Sequence, residues 1–119
     1  MSMTAAERAV PWVTSAELAR RCRASYRQVH YWAQRGLLRC QDTRPGSGQR
    51  RMHPVTEVAV ADALAVVSEV LFPGRLDGDV LMSIGVELRR LLAVDPDVGV
   101  AVVNLSPDVS LVLKVRRPK

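Results

Sequence analysis

Between Arg20 and Arg51 the chain carries nine cationic side chains, and every one is an arginine. A guanidinium can fork two N–H groups onto phosphate oxygens or onto the acceptor edge of a guanine, which a lysine ammonium does less well. Residues 25–35 (SYRQVHYWAQR) interleave such donors with rings and amides, and residues 41–51 place Arg44, Arg50 and Arg51 among Ser47, Gln49, two glycines and a proline. The chemistry open to this set is recognition of a polyanion. Its distribution along the chain says the same. Residues 1–53 hold ten arginines against Glu7, Glu17 and Asp42, a net +7, whereas residues 54–119 hold seven cations against nine acids, a net −2. A basic half beside a faintly acidic one is the electrostatic footprint of a nucleic-acid binder, against the alternative of a solvated charged surface.

Covalent and metal chemistry find less support. The Ser, His and acidic residues show no triad spacing, and the Gly46-Ser47-Gly48 run has no strand-turn-helix context for cradling a phosphate. Cys22 and Cys40 are too few for a disulfide framework and lack the paired spacing of a zinc site, so they read as small buried or half-buried groups. No enzymatic activity, metal or cofactor is expected. No apolar stretch approaches the roughly 20 residues that cross a bilayer, and residues 1–4 do not open a secretory signal. A cytoplasmic, nucleoid-associated protein with reduced thiols is expected.

The elements that must position the arginines can be read in order. The chain is 119 residues long, enough for one domain or two small ones sharing a core. It is 48% hydrophobic but only 4% aromatic, so the core must be aliphatic. Residues 1–11 read as a flexible arm, and Trp12-Val13 as a short apolar lead-in whose tryptophan is buried. Thr14 to Glu17 fits a capping box opening a first helix that runs to about Cys22. After the break at Arg23-Ala24-Ser25, Ser25 caps a second helix, Tyr26 to Arg35, with Val29, Trp32 and Ala33 facing inward. Gly36 ends it in a left-handed turn, and Leu37-Leu38 returns to the core. Short strands near 38–41 and 51–53 flank the Gly/Arg-rich turn. A third helix is expected from about Pro54 to Leu71, ended by Phe72-Pro73-Gly74. A fourth, capped by Asp77 or Asp79, ends at Asp95-Pro96, and residues 98–105 and 109–115 form a β-hairpin around Ser106-Pro107-Asp108. The fold class is mainly α with small β (α+β): a winged helix-turn-helix, two helices and a C-terminal hairpin. The organisation is 1–11 arm, 12–72 DNA-binding domain, and 73–119 assembly region.

In such a module the second helix enters the major groove and the wing lays cations on an adjacent phosphate track. On the helix the expected DNA-facing residues are Ser25, Tyr26, Arg27, Gln28, His30, Tyr31 and Arg35. On the wing they are Arg44, Ser47, Gln49, Arg50 and Arg51. Tyr26 either reaches a sugar or thymine methyl or packs back on the first helix. His30 either touches phosphate or is a half-packed surface group. Arg20, Arg21 and Arg23 either line the same face or are solvated.

Residues 18–38 resemble the opening of MerR-type winged helix-turn-helix proteins, carried by Glu17-Leu18-Ala19, Tyr31-Trp32 and Gly36-Leu37-Leu38. The wing Gly46 to Arg51 with Met52-His53 resembles that of small actinobacterial and actinophage members, including excisionases, and the resemblance covers about residues 12–67. It implies a winged helix-turn-helix fold and binding to double-stranded DNA. Three positions depart from the family's pattern: Arg23 stands at a turn position usually held by Gly, His30 where Arg precedes the aromatic pair, and His53 where Tyr closes the wing. The long dimerisation helix and effector domain of the family's sensors are replaced by a helix and hairpin, so no small-molecule effector is evident. Val100, Val102, Leu111 and Leu113 are more apolar side chain than a two-stranded ribbon can hide. They pack either on the preceding helices or against a second chain, giving a homodimer or cooperative array. The function expected is a sequence-specific transcriptional regulator. The alternatives are an excisionase that bends DNA, and a phage assembly or packaging adaptor with a borrowed winged helix.

Overall fold

The computed structural model describes residues 11–42, 51–71 and 78–115. In chain order the elements are β1 (Trp12–Thr14), α1 (Ser15–Arg20), α2 (Tyr26–Gln34), β2 (Gln41–Asp42), β3 (Arg51–Pro54), α3 (Glu57–Leu71), α4 (Gly78–Val94), β4 (Val100–Asn104) and β5 (Ser110–Lys114). This is the mixed α+β class expected, with a winged helix-turn-helix followed by two helices and a hairpin. The Phe72-Pro73-Gly74 terminator, Asp77 and the tip of the wing lie outside the described residues.

β1, β3 and β2 form one antiparallel sheet with β3 in the middle. Trp12 pairs with Pro54, Val13 with His53 and Thr14 with Met52, while Gln41 pairs with Met52. The lead-in before the first helix is therefore a strand. Its alternation turns Val13 inward and leaves Trp12 39% exposed, contrary to the expected burial of that ring. Pro54 closes β3 and does not open a helix. It has no N–H to give a ladder, and the next residue bonds back to the Pro11 carbonyl at 2.9 Å before α3 begins at Glu57. On the other side of the wing, strand pairing among the described residues is that of Gln41–Asp42, and Cys40 is exposed, not half-buried.

α1 is shorter than expected, ending at Arg20. The Thr14 hydroxyl accepts from the Glu17 N–H at 3.1 Å, which is half of a capping box. The other half does not form, because the Glu17 carboxylate turns to Arg21 (2.8 Å) and Arg20 (3.5 Å). A complete box stands at α2. There the Ser25 hydroxyl accepts from the Gln28 N–H at 3.1 Å and the Gln28 amide oxygen accepts from the Ser25 N–H at 3.0 Å. α2 ends as a Schellman turn: Leu37 N–H bonds the Trp32 carbonyl at 2.9 Å, Gly36 N–H bonds that of Ala33 at 3.2 Å, and Gly36 takes a φ of 76°.

One core runs from Leu18, Val29, Trp32 and Leu37 through Val58, Val60, Ala61 and Leu64 to Leu81, Ile84, Leu88, Ala101 and Val103. α3 is its axis, packed on α1 and β3 on one side and on α4 on the other. The β4–β5 hairpin lies on α4. Its register pairs Ala101 with Leu113 and Val103 with Leu111, and these residues face the core. Val100 and Val102 face solvent at 56% and 52% exposure, so β4 presents to the helices the opposite set from the one its bulky valines suggest.

Candidate nucleic-acid interface

The exposed face of α2 is built at both ends by the caps just described and from beneath by Val29, Trp32 and Ala33. Tyr26 and His30, one turn apart, stack with centroids 6.4 Å apart and planes 18° from parallel. Tyr26 is 56% exposed and does not pack back on α1. Arg51, from the middle strand of the wing sheet, donates to His30 Nδ1 at 3.0 Å. A guanidinium has only donors, so Nδ1 carries the lone pair and the imidazole proton sits on Nε2. One turn along, Arg35 donates to the Tyr31 hydroxyl at 2.5 Å and its guanidinium carbon lies 4.9 Å from that ring's centroid. The Gln28 amide oxygen is committed to the cap, while its amine group makes no bond among the described residues. Arg27 is exposed and free of ion pairs among them.

Tyr26, His30 and Arg51 are thus brought into one continuous group, with Tyr31 and Arg35 as a second pair on the same helix. Arg44, Ser47, Gln49 and Arg50 lie outside the described residues. Arg20 and Arg21 are tied to Glu17 and stay exposed. Arg23 turns away to α3: its backbone N–H and Nε donate to Asp62 Oδ1 at 2.9 Å each, and a terminal N–H donates to Oδ2 at 2.6 Å. This bidentate bond raises the pKa of the Arg23 guanidinium, and it fixes the turn between α1 and α2 against the core axis. Burial pushes the Cys22 thiol up, so it is a neutral packing group in that turn.

A second buried polar cluster, unread in the sequence, lies under the wing root. His53 is fully buried. Its Nδ1 donates to the Arg39 carbonyl at 2.8 Å, which leaves Nε2 to accept from the Ser15 hydroxyl at 2.8 Å. Burial pushes the His53 pKa down, opposed by the Arg39 carbonyl and by Glu57. Glu57 is fully buried, and its carboxylate accepts from Arg89 Nε at 2.9 Å, from an Arg89 terminal N–H at 2.7 Å and from the Arg39 N–H at 2.5 Å. Arg89 also donates to the Leu37 carbonyl at 2.7 Å. The departures at Arg23 and His53 therefore have structural partners that local sequence does not advertise.

A capped helix with an exposed polar face, packed on a short helix that precedes it across a tight turn and flanked by an antiparallel wing, defines a winged helix-turn-helix. Residues 13–63 match the model of the MerR HTH family regulatory proteins. This part of the chain is a MerR-type helix-turn-helix, the DNA-binding segment of a family of regulators. No curated protein matches the chain. Among the described residues no helix is long and apolar enough to cross a membrane.

Proposed function

We propose that the protein is a sequence-specific transcriptional regulator, with α2 in the major groove of double-stranded DNA and the arginine-rich wing on the phosphate backbone. The observation that carries this reading is the face of α2: Tyr26 stacked on His30, His30 bonded to Arg51 of the wing sheet, and Arg27 uncommitted beside them. Groove readers place polar groups near the recognition helix's N-terminus and use wing cations to set register. Arg27 and the Gln28 amine read base edges, Ser25 and Tyr26 flank them at the N-terminus, and Tyr31 and Arg35 continue the face. Arg44, Ser47, Gln49, Arg50 and Arg51 hold phosphates.

Residues 12–72 act as the DNA-binding unit and residues 73–119 as the assembly region, in a cytoplasmic protein on the nucleoid. Solvent-facing Val100, Val102 and Val112 on a hairpin of only two strands support a homodimer or cooperative array. No catalytic role and no small-molecule effector are assigned. The test is selection of DNA from a random pool, then footprinting of wild type and Arg27→Ala. The wild type is expected to protect one short, near-palindromic site. Arg27→Ala is expected to lose about 1–3 kcal/mol at one base position only. Several adjacent protected repeats with bending would instead make the protein an architectural binder, and no salt-dependent binding would leave only the adaptor role.

A further inference from the structure

Two exposed arginines of the helix-turn-helix, Arg27 and Arg39, have guanidiniums without a partner among the described residues. Arg20, Arg21, Arg23, Arg35 and Arg51 are all bonded to neighbours. Arg27 belongs to the recognition face already described. Arg39 stands three residues beyond Gly36, between the end of α2 and the first wing strand, with its side chain in solvent.

Its backbone is held far more firmly than a solubilising arginine requires. The N–H is bonded to Glu57 of α3 and the carbonyl to His53 of β3, at 2.5 and 2.8 Å. Glu57 is held in turn by the Nε–Nη2 edge of the Arg89 guanidinium from α4, and Nη2 also donates to the Leu37 carbonyl two residues before Arg39. The side chains of Glu57 and Arg89 are 1% and 18% exposed. The route of Arg89 is kept open by Gly85, where a Cβ would stand 3.1 Å from the Arg89 guanidinium and 3.7 Å from the Leu37 carbonyl. Taking two ions out of water is costly unless geometry and extra hydrogen bonds offset it. Here the extra bonds all go to the backbone on which Arg39 is mounted. A cation whose backbone is fixed in advance gives up less freedom on meeting its anion.

We propose that Arg39 is a further DNA-phosphate-holding residue at the root of the wing, and that Glu57 and Arg89 are the positioning residues that set it there. This rests on the DNA-binding reading above. Each phosphate contact contributes about 0.9 to the slope of log affinity against log salt, so Arg39→Gln is expected to lower that slope by about one unit. Between ~50 and ~200 mM salt the variant then loses about threefold less affinity than the wild type, on every DNA sequence alike.

The positioning role is read in a cycle. Glu57→Met with Arg89→Met replaces the ion pair by apolar side chains, an exchange that folded proteins often tolerate. In that background Arg39→Gln should change the slope little further, because the Arg39 N–H has already lost its acceptor. If the paired variant fails to fold, Arg89→Lys takes its place: the charge stays, but one ammonium cannot reproduce the fork onto Glu57 and Leu37 together. An unchanged slope in Arg39→Gln, with wild-type binding intact, overturns the assignment of Arg39 and leaves the DNA-binding reading standing. A full loss from Arg39→Gln in the substituted background overturns the positioning role. A wild-type chain without salt-dependent DNA binding overturns both readings.

Discussion

α2 and α3 are neighbours built on opposite plans. α2 has nine residues, one buried stripe and one exposed polar face. Both its ends are set by residues within four positions of them, the Ser25–Gln28 box and the Gly36 turn. α3 has fifteen residues, is buried without a break from Glu57 to Ala65, and holds two acids inside that run. Its ionic partners come from far along the chain: Arg23 lies 39 residues before Asp62 and Arg89 lies 32 residues after Glu57. The difference separates two tasks. α2 needs a stable shape and a free surface. α3 needs no surface and serves as the post to which the turn before α2 and the strand root after it are both fastened.

This contrast is most severely tested at Arg89. Arg89→Met leaves the Glu57 carboxylate buried without its cation and should reduce stability by roughly 3–5 kcal/mol. Urea unfolding would read it, and a loss below about 1 kcal/mol would mean that the carboxylate finds other partners and that α3 depends little on distant residues. Ser25→Ala removes only a local cap, so α2 should cost the fold about 1 kcal/mol, again by urea unfolding. A loss as large as that of Arg89→Met would erase the distinction between the two helices.

The smallest effect is expected in pH dependence at His53. Its folded pKa is pushed below the ordinary value by burial, so folding excludes a proton that the unfolded chain takes up near pH ~6.5. The contribution is therefore fully present above about pH 6.5, falls as pH drops toward the folded value, and levels off beneath it. Thermal midpoints measured at about pH 7.5 and 5 should drop less in His53→Gln than in the wild type. Equal drops in the two proteins would show that His53 is not the responsible group.

The same contrast explains what could be read in the sequence. Ser25, Gly36 and the Val29/Trp32/Ala33 spacing are signals within one helix, and they marked α2 to within a residue. The C-terminal hairpin follows from two β-branched runs around Ser106-Pro107-Asp108, but which face of β4 is buried depends on α4, so the sequence alone leaves Val100 and Val102 open between the helices and a second chain. β1 went unseen because three residues carry no periodicity. Only pairing with β3, about 40 residues on, makes Trp12–Thr14 a strand. Thr14–Glu17 fits a capping box in sequence, yet Arg20 and Arg21 draw the Glu17 carboxylate away, and the complete box stands at Ser25–Gln28. Glu57 and Asp62 gave no hint of burial, since a charge on an apolar helix is legible as interior only when its partner is known. Arg23 was the one available clue: a long cation in a tight turn asks for an acceptor.

The Arg89 contact reaches beyond the segment shared with other regulators, which ends at residue 63. The consequence is one of modularity. A graft ending at Leu71 would transplant every residue of α2 and the wing strands, yet it would arrive with Glu57 deprived of its counter-ion and Leu37 of a bond. For exchange between proteins, the transferable unit is therefore the helix-turn-helix together with the α4 turn that bears Gly85 and Arg89.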